Sequence, residues 1–259
     1  MNMNEDFFAA GENGKLLARH GLNNFEALWD LKLDAVDAPN TTRGGWSTVY
    51  RMDLEDESGK QHGFYLKRQD NHLTRSLWHP FGEPTFAREY RAIRIYARDK
   101  IPALEAVAFA QRRHAGHQRA LLVTKALDHY APLDQWLEGW KKLPRTERKR
   151  LIRAIATLVS RLHRSGKVHH CLYAKHIFIR MDADVAKARL IDLEKTRRSW
   201  LGKHDLISDL ATLNRRTTQP TRTQRLSFLL AYLDKRKVDD EVRVWVRRIG
   251  KRIQRKSVA

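Results

Sequence analysis

Three histidines, a cysteine and a tyrosine fall within eight positions of the stretch GKVHHCLYAKHIFIR, residues 166–180: His169, His170, Cys171, Tyr173 and His176. Sixteen residues after His176, Asp192 ends the run ARLI. Proton-exchanging groups followed by a carboxylate at the end of a strand-like run suit phosphoryl transfer. That chemistry needs a cradle for phosphates, a lysine on them, a carboxylate to hold the lysine, carboxylates for Mg2+ and a group that orients the attacking hydroxyl. The chain offers a candidate for each.

In chain order, TRGGWSTVY carries Gly44 and Gly45 ahead of a β-like run, with Ser47 where a third glycine would complete a phosphate loop. A plain glycine turn leading into a strand fits these residues equally well. Lys67 follows three apolar residues in FYLKRQ, the place of a phosphate-facing strand lysine. Glu89, between Phe86 and Ile93, borders the apolar stripe of a helical segment, where a carboxylate needs a cation such as Lys67. The kinase pattern His-Arg-Asp-Leu-x-x-x-Asn, set without gaps, reads here as His169, His170, Cys171, Leu172 and, at the Asn position, His176. His176 is thus a candidate metal or loop-positioning group and Asp192 the main Mg2+ ligand, with Asp-Leu-Glu in place of Asp-Phe-Gly. Asp209 in HDLISDLATL stands where a helix aspartate holds the catalytic loop, and a surface acid is its other reading; His169 is a further structural support.

Cys171 is the chain's only cysteine, and it occupies the position of the hydroxyl-orienting aspartate. A free thiol is mostly neutral at pH 7 and accepts hydrogen bonds poorly, whereas an aspartate is ionised. A thiolate favoured by neighbouring cations, or His170 taking the proton, are two ways around the loss. A third is that this chemistry rests more on positioning and electrostatics than on the base. The same histidines and thiol suit zinc by type, but no CxxC or HExxH spacing is present. A nucleophilic Cys–His pair is the remaining option, and sequence neighbours rarely meet in the geometry it needs.

The elements that must position these groups form two halves. Residues 45–125 predict strand, strand, helix, strand, strand: a hairpin turned at Ser58 and Gly59, a helix over EPTFAREYRAIRIYARDK with Phe86, Tyr90, Ile93 and Ala97 on one face, and a hairpin turned at His114 to His117. The second half is chiefly helical. A stripe of Leu151, Ile152, Ile155, Leu158, Val159 and Leu162 predicts a helix from an N-cap at Thr146 to a stop at Gly166. A short hairpin turned at Asp182 to Asp184 and two more helices follow. The fold class is α+β: a β-rich N-terminal lobe, 1–125 with an extension over 1–40, a hinge at 125–132, and a helical lobe, 126–259, with a basic tail.

The segments YLKRQDNHLTRSLWHPFGEPTFAREYRAI, LLVTKALDHYAPL and HHCLYAKHIFI resemble the lipopolysaccharide core kinases, and within them the InaA-like branch. The resemblance covers about residues 40–215. It implies a protein-kinase-like fold, ATP with Mg2+, and transfer to a heptose or Kdo hydroxyl of a lipopolysaccharide core precursor at the cytoplasmic face of the inner membrane. Arg68, Arg75 and Trp78 then become candidates for acceptor contact, with ordinary surface loop as the other reading. Because Cys171 departs from the family's aspartate, a pseudokinase that binds nucleotide or scaffolds a partner stays open.

The charge balance fits an anionic glycolipid or an anionic membrane surface. Fifty Lys and Arg against thirty Asp and Glu give a formal +20 and a pI near 10.4, a surface that attracts polyanions of any kind. From Arg243 to Lys256, RVWVRRIGKRIQRK places seven basic residues among apolar ones as an amphipathic helix does. Nucleic acid is disfavoured because no recognition motif or aromatic stacking platform accompanies the charge. A single cysteine allows no internal disulfide, and no apolar run reaches bilayer length, so the expectation is a cytoplasmic protein.

Overall fold

The computed structural model describes residues 5–257 apart from residue 78, so Trp78 lies outside the described residues. Its elements run β1 (Glu5–Phe8), α1 (Glu12–Arg19), α2 (Phe25–Asp30), β2 (Trp46–Glu55), β3 (Gln61–Asp70), β4 (Leu73–Ser76), β5 (His79–Pro84), α3 (Thr85–Arg98), β6 (Ala106–His114) and β7 (His117–Lys125). There follow β8 (Ala131–Pro132), α4 (Leu133–Glu138), α5 (Arg145–Arg164), β9 (Lys167–Val168), β10 (Ile177–Met181), β11 (Ala186–Leu190), β12 (Arg197–Arg198), α6 (Lys203–Arg216), α7 (Arg222–Leu233) and α8 (Asp240–Ser257). The chain divides into two compact units, Met1–Ala97 with Leu104–Asp128, and Arg98–Ala103 with His129–Ala259.

The first unit is built on a five-stranded antiparallel sheet ordered β1-β6-β7-β3-β2. Its two long hairpins turn where the sequence predicts. In one, the Asp56 carboxylate accepts from the Ser58 and Lys60 amides while Gly59 takes φ +82°. In the other, Ala115 and Gly116 both have positive φ, the requirement of a two-residue turn that matches strand twist. The expected N-terminal extension is part of this core: β1 pairs with β6, and Leu16, Leu17 and Leu28 pack with Phe64, Leu66, Leu121 and Val123. On α3 the buried stripe runs through Phe86, Tyr90 and Ile93 to Tyr96, and Ala97 is exposed because the helix ends one residue later.

The second unit packs α5 against α7, with the predicted α5 stripe buried throughout. Pro144, not Thr146, precedes its first helical residue, and Thr146 sits within the first turn. Gly166 ends the helix at φ +72°, a conformation glycine adopts without strain. The β10–β11 hairpin is joined by β8, and the two-residue strands β9 and β12 pair just before the histidine-rich segment 169–176. In α8, Val242, Trp245 and Ile249 are buried while Arg247 and Arg248 are exposed, so the basic face is solvated. Among the described residues no helix is long and apolar enough to cross a membrane.

Candidate active site

In the first unit, Lys67 on β3 is fixed by pairing with Val49 on β2 and Leu122 on β7. Its Nζ donates to both carboxylate oxygens of Glu89, at 2.7 and 2.9 Å. Glu89 is buried on α3, one turn from Phe86, whose ring lies 5.9 Å from the same ammonium. A buried carboxylate stays ionised at tolerable cost only beside such a partner. The stripe-edge Glu89 therefore meets Lys67, which sits inside β3 and not at its end, because the strand runs on through Arg68, Gln69 and Asp70.

The glycine pair has a backbone explanation. Gly44 takes φ +76° at the end of a short turn, Thr42–Gly44. A Cβ on Gly45 would come within 2.2 Å of the Asp70 carbonyl oxygen, so only glycine lets β2 start that close to β3. Arg68 is turned inward: its guanidinium donates to the Trp29 and Leu31 carbonyls and lies 4.0 Å from the Tyr50 ring centroid. It ties α2 to the sheet, so its buried head does not suit the expected acceptor contact. Arg75 is exposed on β4.

In the second unit, the segment expected to be the catalytic loop hangs on Asp209. This carboxylate, buried on α6, accepts from the His169 amide at 2.7 Å and from the His170 amide at 2.9 Å. His163 on α5 approaches it at 3.4 Å through Nε2, and the His163 Nδ1 lies 2.9 Å from the Tyr232 hydroxyl. Burial, reinforced by the Asp209 charge, pushes the Tyr232 phenol well above its usual range and keeps it protonated. The Asp209 carboxylate, which already accepts two amides, leaves His163 Nε2 as the donor of that contact. Sequence reading missed His163 and Tyr232, because each sits within an apolar helix pattern that core packing alone explains.

The four loop residues separate in role. His169 is buried with Nε2 2.9 Å from the Ile191 carbonyl, which can only accept, so that nitrogen carries the hydrogen. Burial holds its pKa below the usual histidine value, outweighing the pull of the Ile191 carbonyl and Asp209, and the ring is neutral. His170 adopts φ +65° with an exposed side chain. Cys171 is only 7% exposed. Its carbonyl accepts from the Tyr173 amide at 2.8 Å and from the His176 ring Nδ1 at 2.9 Å.

That last bond requires a hydrogen on Nδ1 of His176, because a carbonyl can only accept. With Nδ1 donating, a neutral ring presents the Nε2 lone pair outward, and Nε2 lies 3.1 Å from Asp192 Oδ2. A lone pair facing a carboxylate calls for a proton or a cation, so the two expected metal-binding residues share one electrophile position. Asp192 itself has φ +56°, which aspartate tolerates better than most residues, and half of its side chain is open to solvent. Among the described residues no group of three or more His, Cys, Asp or Glu side chains could hold a metal. One carboxylate fits an ion that takes its other ligands from phosphate and water, as Mg2+ in nucleotide sites does, and the imidazole suits holding one of those waters. The Tyr173 ring lies 5.3 Å from His176 and 4.3 Å from the Arg216 guanidinium, closing one side of this position.

The sequence profile of the lipopolysaccharide kinase (Kdo/WaaP) family matches residues 26–232. The chain belongs to that family. It is similar to the protein InaA of Escherichia coli K12, 30% identical over 178 residues, which are 68% of this chain and 80% of that one. It is also similar to the lipopolysaccharide core heptose(I) kinase WaaP of Pseudomonas aeruginosa PAO1, 28% identical over 160 residues, 56% of this chain and 58% of that one. Among solved structures, WaaP in complex with acyl carrier protein superposes with a TM-score of 0.69 at 22% identity, covering 97% of both chains. The fold is therefore the two-lobed, protein-kinase-like one that the sequence predicts, and the InaA-like placement within the family holds.

Proposed function

We propose that this family member is an ATP-dependent kinase that phosphorylates a sugar hydroxyl, heptose or Kdo, of the lipopolysaccharide inner core. The bidentate Lys67–Glu89 pair carries this reading. It holds a preoriented ammonium on a strand of the sheet, as the phosphate-binding lysine of this fold class is held, and a purely structural lysine has no need of a buried carboxylate there.

In this reading Lys67 binds the ATP phosphates and Glu89 orients it. Asp192 and, through a water, His176 hold Mg2+, which when bound neutralises charge developing on the phosphates. The acceptor hydroxyl oxygen forms a bond to the γ-phosphorus as the bond to the bridging oxygen breaks and ADP leaves. The hydroxyl proton passes to the exposed imidazole of His170 or to water, since the Cys171 thiol is buried. Asp209 keeps the loop in place through the two amides it receives. Gly44 and Gly45 shape the loop over the phosphates.

A second reading has one observation in its favour. A buried cysteine at the aspartate position suits a pseudokinase that binds nucleotide or scaffolds a partner without transfer. Transfer of labelled γ-phosphate from ATP with Mg2+ to purified core glycolipid separates the two.

The solved relative's acyl carrier protein suggests a partner of that class. In support, the second unit of this chain holds an apolar cavity of about 730 Å³, lined by Leu137, Ile152, Leu213, Leu229 and Ile253 and bordered by Arg243 and Arg247. An acyl group fits the cavity and an acidic carrier fits its rim. We place the protein at the cytoplasmic face of the inner membrane, where the glycolipid acceptor is made.

A further inference from the structure

The segment leading from Asp192 into α6 exposes two apolar side chains that the phosphoryl-transfer reading does not use. Trp200 is 72% exposed and Leu201 64% exposed. Their exposure is imposed by the backbone. The Ser199 amide donates to the Gly166 carbonyl at 2.8 Å, and the Ser199 hydroxyl to the Gly202 carbonyl at 3.1 Å. The Leu201 amide donates to Asp205 Oδ2 at 3.1 Å, and the His204 amide to the Leu201 carbonyl at 3.1 Å. Asp205 is buried and takes two further hydrogen bonds from the Arg197 guanidinium, at 2.9 and 3.1 Å, while Arg197 pairs with Val168 in the β9–β12 ladder. Gly202 turns the chain at φ +50°, ψ −126°. A turn pinned at so many points holds Trp200 and Leu201 at its tip.

The exposed charged side chains that flank this tip in sequence have one sign. Lys195, Arg198 and Lys203 are exposed beside it, and residues 195–204 contain no acid. We propose that the Ser199–Gly202 turn docks the protein on an anionic lipid bilayer, with Trp200 and Leu201 entering the headgroup region and Arg198 and Lys203 meeting acidic phospholipid. Tryptophan favours that depth because its ring is amphipathic, and cations near an anionic leaflet are attracted over a Debye length. An acidic protein would use the same cations. Two apolar side chains at a turn tip offer too little area for a stable protein interface. The proposal goes beyond the proposed catalytic function, and docking requires neither ATP nor transfer.

The test is flotation of the full chain with vesicles of phosphatidylcholine alone and of phosphatidylcholine with an equal part of phosphatidylglycerol, without ATP. Wild type should float with the anionic vesicles only. Trp200→Ser with Leu201→Ser should weaken that partition at least about tenfold, and Arg198→Glu with Lys203→Glu should do the same, both with unchanged melting temperatures. The proposal is overturned if either double variant floats like wild type. It is equally overturned if Leu77→Ser with Phe81→Ser, at the exposed tip of the β4–β5 hairpin (97% and 90% exposed), abolishes flotation while the turn variants do not. Binding to a soluble polyanion without flotation would also overturn it, assigning the turn to an acidic macromolecule. Because the readout is lipid partition, a chain without kinase activity can pass it and an active kinase can fail it.

Discussion

The Nε2 atom of His176 lies 3.1 Å from Oδ2 of Asp192, while the other ring nitrogen of His176 is committed to the carbonyl of Cys171. The residue at the missing aspartate's position thus contributes through its backbone, by placing a hydrogen on Nδ1 of the imidazole that faces Asp192. Replacing the Cys171 side chain leaves that bond in place. Cys171→Asp should preserve or raise transfer activity, measured as initial rate on core glycolipid, because it restores an ionised acceptor without disturbing His176. Complete loss of activity would show that the thiol has a role of its own.

The Lys67–Glu89 pair is buried on the Glu89 side, so removing one charge strands the other. Glu89→Gln should destabilise the protein by about 3 kcal/mol, the usual cost of breaking a buried pair, and lower nucleotide affinity. Urea unfolding and ATP titration read the two effects. An unchanged unfolding midpoint would mean that the pair is not held in solution.

Asp209 satisfies the His169 and His170 amides together. In Asp209→Ala, the buried His169 amide and its exposed-side neighbour lose their acceptor, at a cost of about 1–3 kcal/mol for each one kept from water. Hydrogen exchange should accelerate at residues 169 and 170 well beyond any change at β3. Unaltered protection there would contradict the role given to Asp209.

Asp205 titrates below the usual carboxylate value, because the hydrogen bonds from Arg197 and Leu201 outweigh the opposing effect of its burial. A carboxylate with a depressed folded pKa stabilises fully above its unfolded value of 3.8 and loses that contribution as the pH falls through the folded value. The stability difference between wild type and Asp205→Asn should therefore be constant near neutrality and shrink below about pH 4. Melting curves across that range check it, and a difference independent of pH would remove Asp205 as the clamp of the Trp200 turn.

Much of this arrangement was legible in the sequence because it rests on local pattern. Phe86, Tyr90 and Ile93 announce α3 and leave Glu89 at its buried edge, and Lys67 ends an apolar run that can only be a strand. What escaped was set by contacts distant in sequence. Arg68 looks like a loop arginine until the end of α2 and the residue after it supply the Trp29 and Leu31 carbonyls, and the first 30 residues look peripheral until β1 adds to the sheet edge. The β4–β5 hairpin is invisible in SLWHPFGEP, which has no alternation. His163 and Tyr232 carry helix-stripe signals, and only the packing of α5, α6 and α7 brings them to Asp209.

The central claim is tested most directly by transfer of labelled γ-phosphate from ATP with Mg2+ to purified core glycolipid by wild type, Lys67→Ala and Asp192→Asn. Asp192 is half exposed, so its replacement should leave the melting temperature nearly unchanged. The account predicts transfer by wild type, lost in both variants. Absence of transfer by wild type, or transfer retained in Asp192→Asn, would contradict it.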